Sequence, residues 1–311
     1  MKGLVTKSTG SWYLVQLNEG ELIQCRLKGK FRMQGIKTTN PIAVGDSVEV
    51  QRMKDETGVI TSIAPRSNYI IRKSTRLSKQ SHIIAANVDQ AVIIAAISYP
   101  RTSTGFVDRF LVTAEAYNIP AKIVINKADL HNEQEKKLAD QLINDYQKVG
   151  YEAFLTSAVD KYNVDKLTAL LDQKISVIVG HSGTGKSALI NAIHPGLNLK
   201  IGRLSDAHLK GKHTTTFARM HEISPKTYVV DTPGLKEFGL VDLHKRELHL
   251  FFPEMLKRAD ACRFANCTHV HEPGCAVRSA VEEGSIPEFR YANYLNMLKG
   301  KEMNQNPWDL K

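Results

Sequence analysis

The order of two loops constrains this chain more than any other feature of its sequence. Gly180-His181-Ser182-Gly183-Thr184-Gly185-Lys186-Ser187, followed by Ala188, fits the phosphate-loop pattern G-x-x-x-x-G-K-[ST]. Asn126-Lys127-Ala128-Asp129 fits a guanine-reading loop and lies more than fifty residues ahead of it. An ordinary GTPase runs the other way, phosphate loop first. The reversed order predicts a circularly permuted GTPase domain.

The phosphate loop stands in the context its chemistry needs. Ile175-Ser176-Val177-Ile178-Val179 reads as a short β-branched strand, and residues 188–193 open a helix behind the loop. Glycines let backbone N–H groups turn inward around phosphates, and the helix N-terminus adds a favourable dipole. Lys186 is expected to reach the β- and γ-phosphates, and the Ser187 hydroxyl to ligate Mg²⁺.

The base-reading motif is short, but it ends the apolar strand 121–125, where α/β proteins place ligand loops. The Asp129 carboxylate can accept from both N1–H and the exocyclic amine of guanine. Adenine lacks that donor pair, so the site is expected to prefer GTP and GDP over ATP. Asn126 is expected to face the other edge of the base, with the Lys127 stem packed on its face. Thr156-Ser157-Ala158, one helix later, is expected to offer backbone N–H to the guanine oxygen.

Asp231-Thr232-Pro233-Gly234 ends another strand-like run, residues 227–230. A strand-ending Asp-x-x-Gly is a common turn. After a phosphate loop it supplies an Asp that holds Mg²⁺ through water and a Gly, Gly234, whose N–H senses the γ-phosphate. Between them Gly211-Lys212-His213-Thr214-Thr215-Thr216 is polar, basic and poor in core residues, as a nucleotide-ordered switch should be. Thr215 is the expected switch threonine on magnesium, with Thr214 and Thr216 as alternatives.

This order of base loop, Thr-Ser-Ala, phosphate loop, His-Thr-Thr and Asp-Thr-Pro-Gly resembles the ribosome small-subunit-dependent GTPase A family (RsgA, also called YjeQ). The resemblance covers nearly the whole chain, and a Cys-x4-Cys-x-His-x5-Cys array follows the GTPase motifs here as it does there. Three of the chain's 4 cysteines, Cys262, Cys267 and Cys275, fall in that array. Tetrahedral zinc takes a Cys₃His set, and four protein ligands make a closed structural site. By spacing either His269 or His271 completes it; the family pattern matches His269. Cys25 stands apart and reads as a small core residue.

Composition agrees with this without deciding it. The 311 residues suffice for two or three domains, and 42 Lys and Arg against 32 Asp and Glu give a net charge of +10, which favours an anionic partner. The longest purely apolar run, 91–97, is far too short to span a bilayer, and the N-terminal residues lack the apolar stretch of a signal peptide. A cytoplasmic protein without membrane contact is expected.

Three domains are expected. Residues 1–67 contain short strands at 12–17, 21–27, 44–50 and 58–63, which suggest an OB-type barrel. Residues 68–239 form the permuted GTPase domain, entered by a linker near 64–68 and a basic stretch, 66–79, that reads either as a solvated loop or as an RNA contact. Residues 240–311 form a helical zinc-binding domain, with helical stretches at 242–256 and 287–299. The resemblance implies GTP and GDP, Mg²⁺ and one structural Zn²⁺ as cofactors. It also implies the small ribosomal subunit and its 16S rRNA as partners of an RNA-binding protein expected to act as a monomer.

Leu235 occupies the place where many GTPases carry a water-orienting Gln, so hydrolysis by the free protein is expected to be slow. The resemblance implies that the switch histidine, His213, serves instead; an RNA contact is the competing role for it. Permutation also puts Gly234 shortly before the zinc array, so a γ-phosphate-dependent shift there could move the third domain directly. Two other classes compete: a nucleotide-binding RNA adaptor that hardly turns over, and an ATP-dependent enzyme on the same phosphate loop, against which Asp129 argues.

Overall fold

A computed structural model describes residues 1–27, 41–73, 81–199, 218–231 and 245–300. The chain divides into two compact units. One comprises Met1–Ala91, Asp165–Ile178 and Ile190–Leu235; the other comprises Val92–Val164, Val179–Leu189 and Lys236–Lys311.

The first unit begins with a closed five-stranded barrel. Its strands are β1 (Lys2–Ser8), β2 (Tyr13–Leu17), β3 (Leu22–Leu27), β4 (Ser47–Arg52) and β5 (Gly58–Ile63). β1 pairs with β2, β2 with β3, β3 with β5 in parallel, β5 with β4, and β4 returns to β1. Closure removes the unpaired edges that a small sheet would otherwise expose. Side chains alternate in and out along each strand, and the inward set includes Val5, Tyr13, Val15, Ile23, Val48 and Ile60. Cys25 joins that core, and burial pushes its thiol up to about 11.

β1 escaped the sequence reading, and its inward face explains why. Gly3, Val5, Thr6 and Ser8 are buried there, a set with one large apolar residue. The inward position takes glycine because a Cβ on Gly3 would stand 2.6 Å from Val15 and 2.7 Å from the Gln16 carbonyl.

The basic stretch after the barrel is not one solvated loop. β6 (Tyr69–Lys73) and β7 (Ser81–Ala86) form an antiparallel hairpin, with residues 74–80 outside the described set. Arg66, the first cation of that stretch, is buried: Nε and Nη2 each lie 2.6 Å from the two oxygens of Asp46, and Nη2 also donates to the Pro41 carbonyl at 2.8 Å. A planar guanidinium matches a carboxylate in this forked way, so Arg66 is spent on internal structure.

The same unit holds α3 (Val164–Leu171), β11 (Ile175–Val179), β12 (Arg219–Ser224) and β13 (Thr227–Asp231) for most of their length. β11 and β13 run parallel, Val177 beside Val230, so the strand before the phosphate loop and the strand before Asp231 run the same way. β12 turns back on β13 and meets β1 at Lys7 and Arg219.

The second unit is built on β8 (Gln90–Ala96), β9 (Ala121–Asn126) and β10 (Glu152–Leu155), neighbours in that order, with β9 and β10 parallel. β8 is buried along its whole length, as a strand covered on both faces must be. α1 (Thr104–Ala116) starts at Ser103, whose side chain caps the Phe106 N–H. α2 (Glu133–Lys148) starts with a reciprocal capping box between Asn132 and Glu135.

The expected helical stretch at 242–256 is two pieces among its described residues. A 3₁₀ segment covers Lys245–Phe251, Phe252 is extended at φ −113, and α5 (Pro253–Ala259) restarts with proline at its first position. Proline drives the residue before it out of helical geometry yet suits the first helical turn, which produces this break. α6 (Ala276–Glu282) and α7 (Glu288–Leu298) complete the unit. Phe252, Met255, Val277, Ile286, Tyr294 and Met297 share one core with Val112 of α1. Among the described residues no helix is long and apolar enough to cross a membrane.

Candidate functional site

The phosphate-loop residues sit between the end of β11 and α4 (Lys186–Ile193). Gly180 has φ +152, and a Cβ there would lie 2.3 Å from the Ile94 carbonyl of β8. Lys186 is buried and curls back over the loop, donating from Nζ to the carbonyls of Gly180 at 2.7 Å and His181 at 2.6 Å. Thr184 donates its hydroxyl to the same His181 carbonyl at 3.0 Å. The ammonium is thereby held at the loop, where a phosphate would meet it. Ser187 is buried at the first turn of α4, and the imidazole of His181 stacks on Phe106 with centroids 3.9 Å apart.

The base-reading residues come to the same place. Asn126 ends β9, is 1 % exposed, and donates from Nδ2 to the Thr184 carbonyl at 2.9 Å. Its Oδ1 accepts from the Thr156 hydroxyl at 3.2 Å. Asn126, expected to face the base, thereby ties three loops together. The amide's second hydrogen and the second lone pair of Oδ1 remain for a ligand. Lys127 is left-handed at φ 70 and its ammonium donates to the Tyr99 carbonyl.

Asp129 follows in a 3₁₀ turn, and the Ser157 hydroxyl donates to its Oδ1 at 2.7 Å. Ser157 in turn receives the Asp160 N–H at 3.1 Å, so the brace is itself braced. Of the three amides in the Thr-Ser-Ala segment, Thr156 N–H goes to Ile125 at 2.8 Å and Ser157 N–H to Tyr162 at 3.0 Å. Among the described residues that leaves Ala158 as the amide able to serve a ligand oxygen. Sequence reasoning found the segment but not this division of labour, which depends on where the loop folds back.

Asp231 closes β13, opposite Arg219. His213, Thr215 and Gly234 lie outside the described residues, as does Leu235.

The cysteine array folds into one cluster. The Sγ atoms of Cys262, Cys267 and Cys275 and a ring nitrogen of His269 all lie within 4.8 Å of one another. His269 Nδ1 is 3.6 Å from Cys262 Sγ and 3.4 Å from Cys275 Sγ. Tetrahedral zinc with bonds of about 2.3 Å to sulfur and about 2.0 Å to nitrogen needs S···N separations of about 3.5 Å, so the donor set fits. His271, the alternative by spacing, is exposed and outside the cluster. Burial, reinforced by His249, pushes His269 down to about 4, which keeps its ring neutral as a ligand must be.

The loop around the cluster is held by residues that spacing did not single out. Glu272 accepts from the N–H groups of Thr268, Val270 and His271 at 2.8, 3.0 and 3.1 Å, and from the Thr268 hydroxyl. Burial opposes its charge, but these hydrogen bonds outweigh it and hold the carboxyl well below the usual range. Tyr291 and Tyr294 of α7 donate to the His269 and Thr268 carbonyls, each at 2.7 Å.

Phosphate loop, base loop and strand order together define a circularly permuted P-loop GTPase. Comparison with known proteins agrees: residues 63–241 match the RsgA GTPase family model and residues 2–60 the RsgA N-terminal domain. The chain belongs to the RsgA GTPase family. It is 52 % identical, over 97 % of each chain, to the small ribosomal subunit biogenesis GTPase RsgA 2 of Bacteroides thetaiotaomicron. Identity to the small ribosomal subunit biogenesis GTPase RsgA of Phocaeicola vulgatus is 51 %, again over 97 % of each. The crystal structure of YjeQ from Thermotoga maritima superposes with a TM-score of 0.78 at 36 % identity, covering 98 % of this chain and 99 % of that one. A second solved structure, YloQ, described as a circularly permuted GTPase, superposes with a TM-score of 0.75 at 31 % identity, covering 96 % and 94 %. Membership of a GTPase family carries GTP and GDP as ligands and Mg²⁺ as their metal.

Proposed function

We propose that this chain is a GTP hydrolase that acts late in maturation of the small ribosomal subunit, slow alone and stimulated by that subunit. The observation that carries the nucleotide half is the pair of bonds Asn126–Thr184 and Ser157–Asp129, which fasten a base-reading carboxylate to a phosphate loop. The names of relatives about half identical over nearly the whole chain support the ribosomal half.

In this reading Asp129 pairs with the guanine N1–H and amine, Asn126 and the Lys127 stem flank the base, and Ala158 N–H meets its oxygen, with Thr156 and Ser157 as braces. The amides of residues 180–188 and the Lys186 ammonium take the phosphates. Ser187, Thr215 and Asp231 (through water) would hold Mg²⁺, which when bound neutralises charge between the β- and γ-phosphates. Gly234 senses the γ-phosphate. His213 orients the attacking water, because Leu235 cannot. Cys262, Cys267, His269 and Cys275 hold one structural zinc.

The domains are 1–67, 68–239 and 240–311, and the flanking two contact 16S rRNA on a cytoplasmic, monomeric protein. GTP binding favours the subunit-bound state and hydrolysis releases it. Multiple-turnover phosphate release with purified small subunits, large subunits and neither tests the reading. Stimulation by the small subunit alone is expected; equal stimulation by the large subunit would sink it.

A further inference from the structure

α1 carries two unrelated contacts within one helical turn. Phe106, at its start, stacks on His181 of the phosphate loop at 3.9 Å. Asp108, two residues on, is fully buried and accepts from Arg290 Nη1 of α7 at 2.7 Å, from Asn293 Nδ2 at 2.6 Å and from the Tyr146 hydroxyl at 2.9 Å. Arg290 is also fully buried, and its remaining nitrogens grip Glu254 of α5 at 2.7 and 3.1 Å. Asn293 reaches the Thr104 hydroxyl in the first turn of α1 at 3.3 Å as well.

A buried guanidinium cannot leave its carboxylates without stranding charge in a medium that solvates it poorly. α7 therefore fixes α1 at one position rather than over a range. Phe106 shares the first turns of that helix with Asp108, so its backbone is set with it, and His181 rests against its ring. The His181 carbonyl is one of the two that receive Lys186. An unbroken series of contacts thus runs from α7, through α1, to the ammonium at the phosphate loop.

We infer that Arg290 is a positioning residue for the phosphate loop: its ion pair with Asp108 sets α1, and the Phe106–His181 stack passes that setting to Lys186. The inference rests on the reading of residues 180–187 as the nucleotide's phosphate loop. α7 also holds the metal-loop carbonyls through Tyr291 and Tyr294. One helix therefore registers both the nucleotide end and the cysteine cluster. Coupling of this kind is reciprocal, so nucleotide should tighten α7 by the factor with which α7 tightens nucleotide.

The test is a double-mutant cycle on the full-length protein, read by titration with GDP and Mg²⁺ and by thermal melting. Arg290→Met and Phe106→Leu should each weaken GDP binding roughly 5- to 20-fold. The double variant should be little weaker than the worse single one. Arg290→Lys, which keeps the charge but not the fork, should recover part of the affinity. If Arg290→Met does not fold, Asp108→Asn takes its place, since it removes the charge that Arg290 Nη1 pairs with while keeping the size of the side chain. A purely structural Arg290 would lower the melting temperature and leave GDP affinity within about twofold, or give effects that simply multiply in the double variant. Either result overturns the inference. Wild-type protein that binds neither GDP nor GTP would instead overturn the site itself, and this inference with it.

Discussion

Asn126 Nδ2 lies 2.9 Å from the carbonyl of Thr184, joining the residue that opens the base loop to the one that precedes Gly185. The bond requires an empty space. A Cβ on Gly185 would fall 2.2 Å from that same Nδ2, and φ +91 disfavours any side chain there. Gly185→Ala should therefore break the link between base and phosphate loops and strain the turn by about 1–3 kcal/mol. Titration should show GDP affinity down roughly tenfold or more in a protein that still folds. Unchanged affinity would show that the two loops do not act together.

Base choice separates two neighbouring residues. Asp129→Asn should weaken GTP and improve xanthosine triphosphate, because Asn can donate where xanthine offers an oxygen; the lost charge-assisted pair is worth about 1.5–3 kcal/mol. Ser157→Ala removes the brace on Asp129 together with the acceptor for the Asp160 N–H, and should cost about 1 kcal/mol of GTP binding with preference for GTP intact. A competition assay with both nucleotides reads both variants, and preference unaltered by Asp129→Asn would mean the base sits elsewhere.

The cysteine cluster gives a compositional test. Cys262→Ser or Cys275→Ser should lose about one equivalent of zinc and destabilise the segment around α5 to α7, since binding energy at such a site is folding energy. Nucleotide binding should survive in reduced form. Elemental analysis finding no zinc in wild-type protein purified without chelator would remove the metal from the account.

Arg66 offers a stability test independent of any ligand. Its forked pair with Asp46 is 4 % and 0 % exposed at the side chains. Arg66→Ala strands a buried carboxylate and should cost about 3–5 kcal/mol, seen as a lower denaturation midpoint. A change under about 1 kcal/mol would class the pair with ordinary surface bridges.

These residues differ in how plainly the sequence marks them. The nucleotide loops were legible because their chemistry demands particular residue types at fixed spacing, and the cysteine array was legible for the same reason. The barrel was legible as a class through its alternating strands. β1 was not, because Gly3, Thr6 and Ser8 face inward without an apolar signature. Arg66 is indistinguishable in sequence from its basic neighbours because its partner, Asp46, lies twenty residues away. The bracing roles of Asn126 and Ser157 are invisible in sequence, since hydrogen bonds between loops leave no periodic mark. The break at Phe252 was there to be read in Pro253, and the aromatic pattern of the segment masked it.

The proposed mechanism gives the water-orienting role to His213. His213→Ala should remove most of the subunit-stimulated turnover while leaving GTP affinity and subunit binding nearly intact, because orienting water matters only during the reaction. Positioning of this kind is worth several kcal/mol, or orders of magnitude in rate. Lys186→Ala should impair binding and turnover together. Subunit association should weaken steeply with salt if the +10 charge works through phosphate contacts. Full stimulated turnover in His213→Ala would move the water-orienting role to another group.

Cys25 makes the chain its own reporter. Buried in the barrel with its thiol pushed up to about 11, it stays protonated and out of reach at neutral pH. Every sulfur that a thiol reagent can modify in the native protein then belongs to the cluster of Cys262, Cys267 and Cys275. A colorimetric thiol titration therefore reads that cluster with no label and no engineered background. Silent sulfurs that become reactive on adding a chelator would follow metal release in real time.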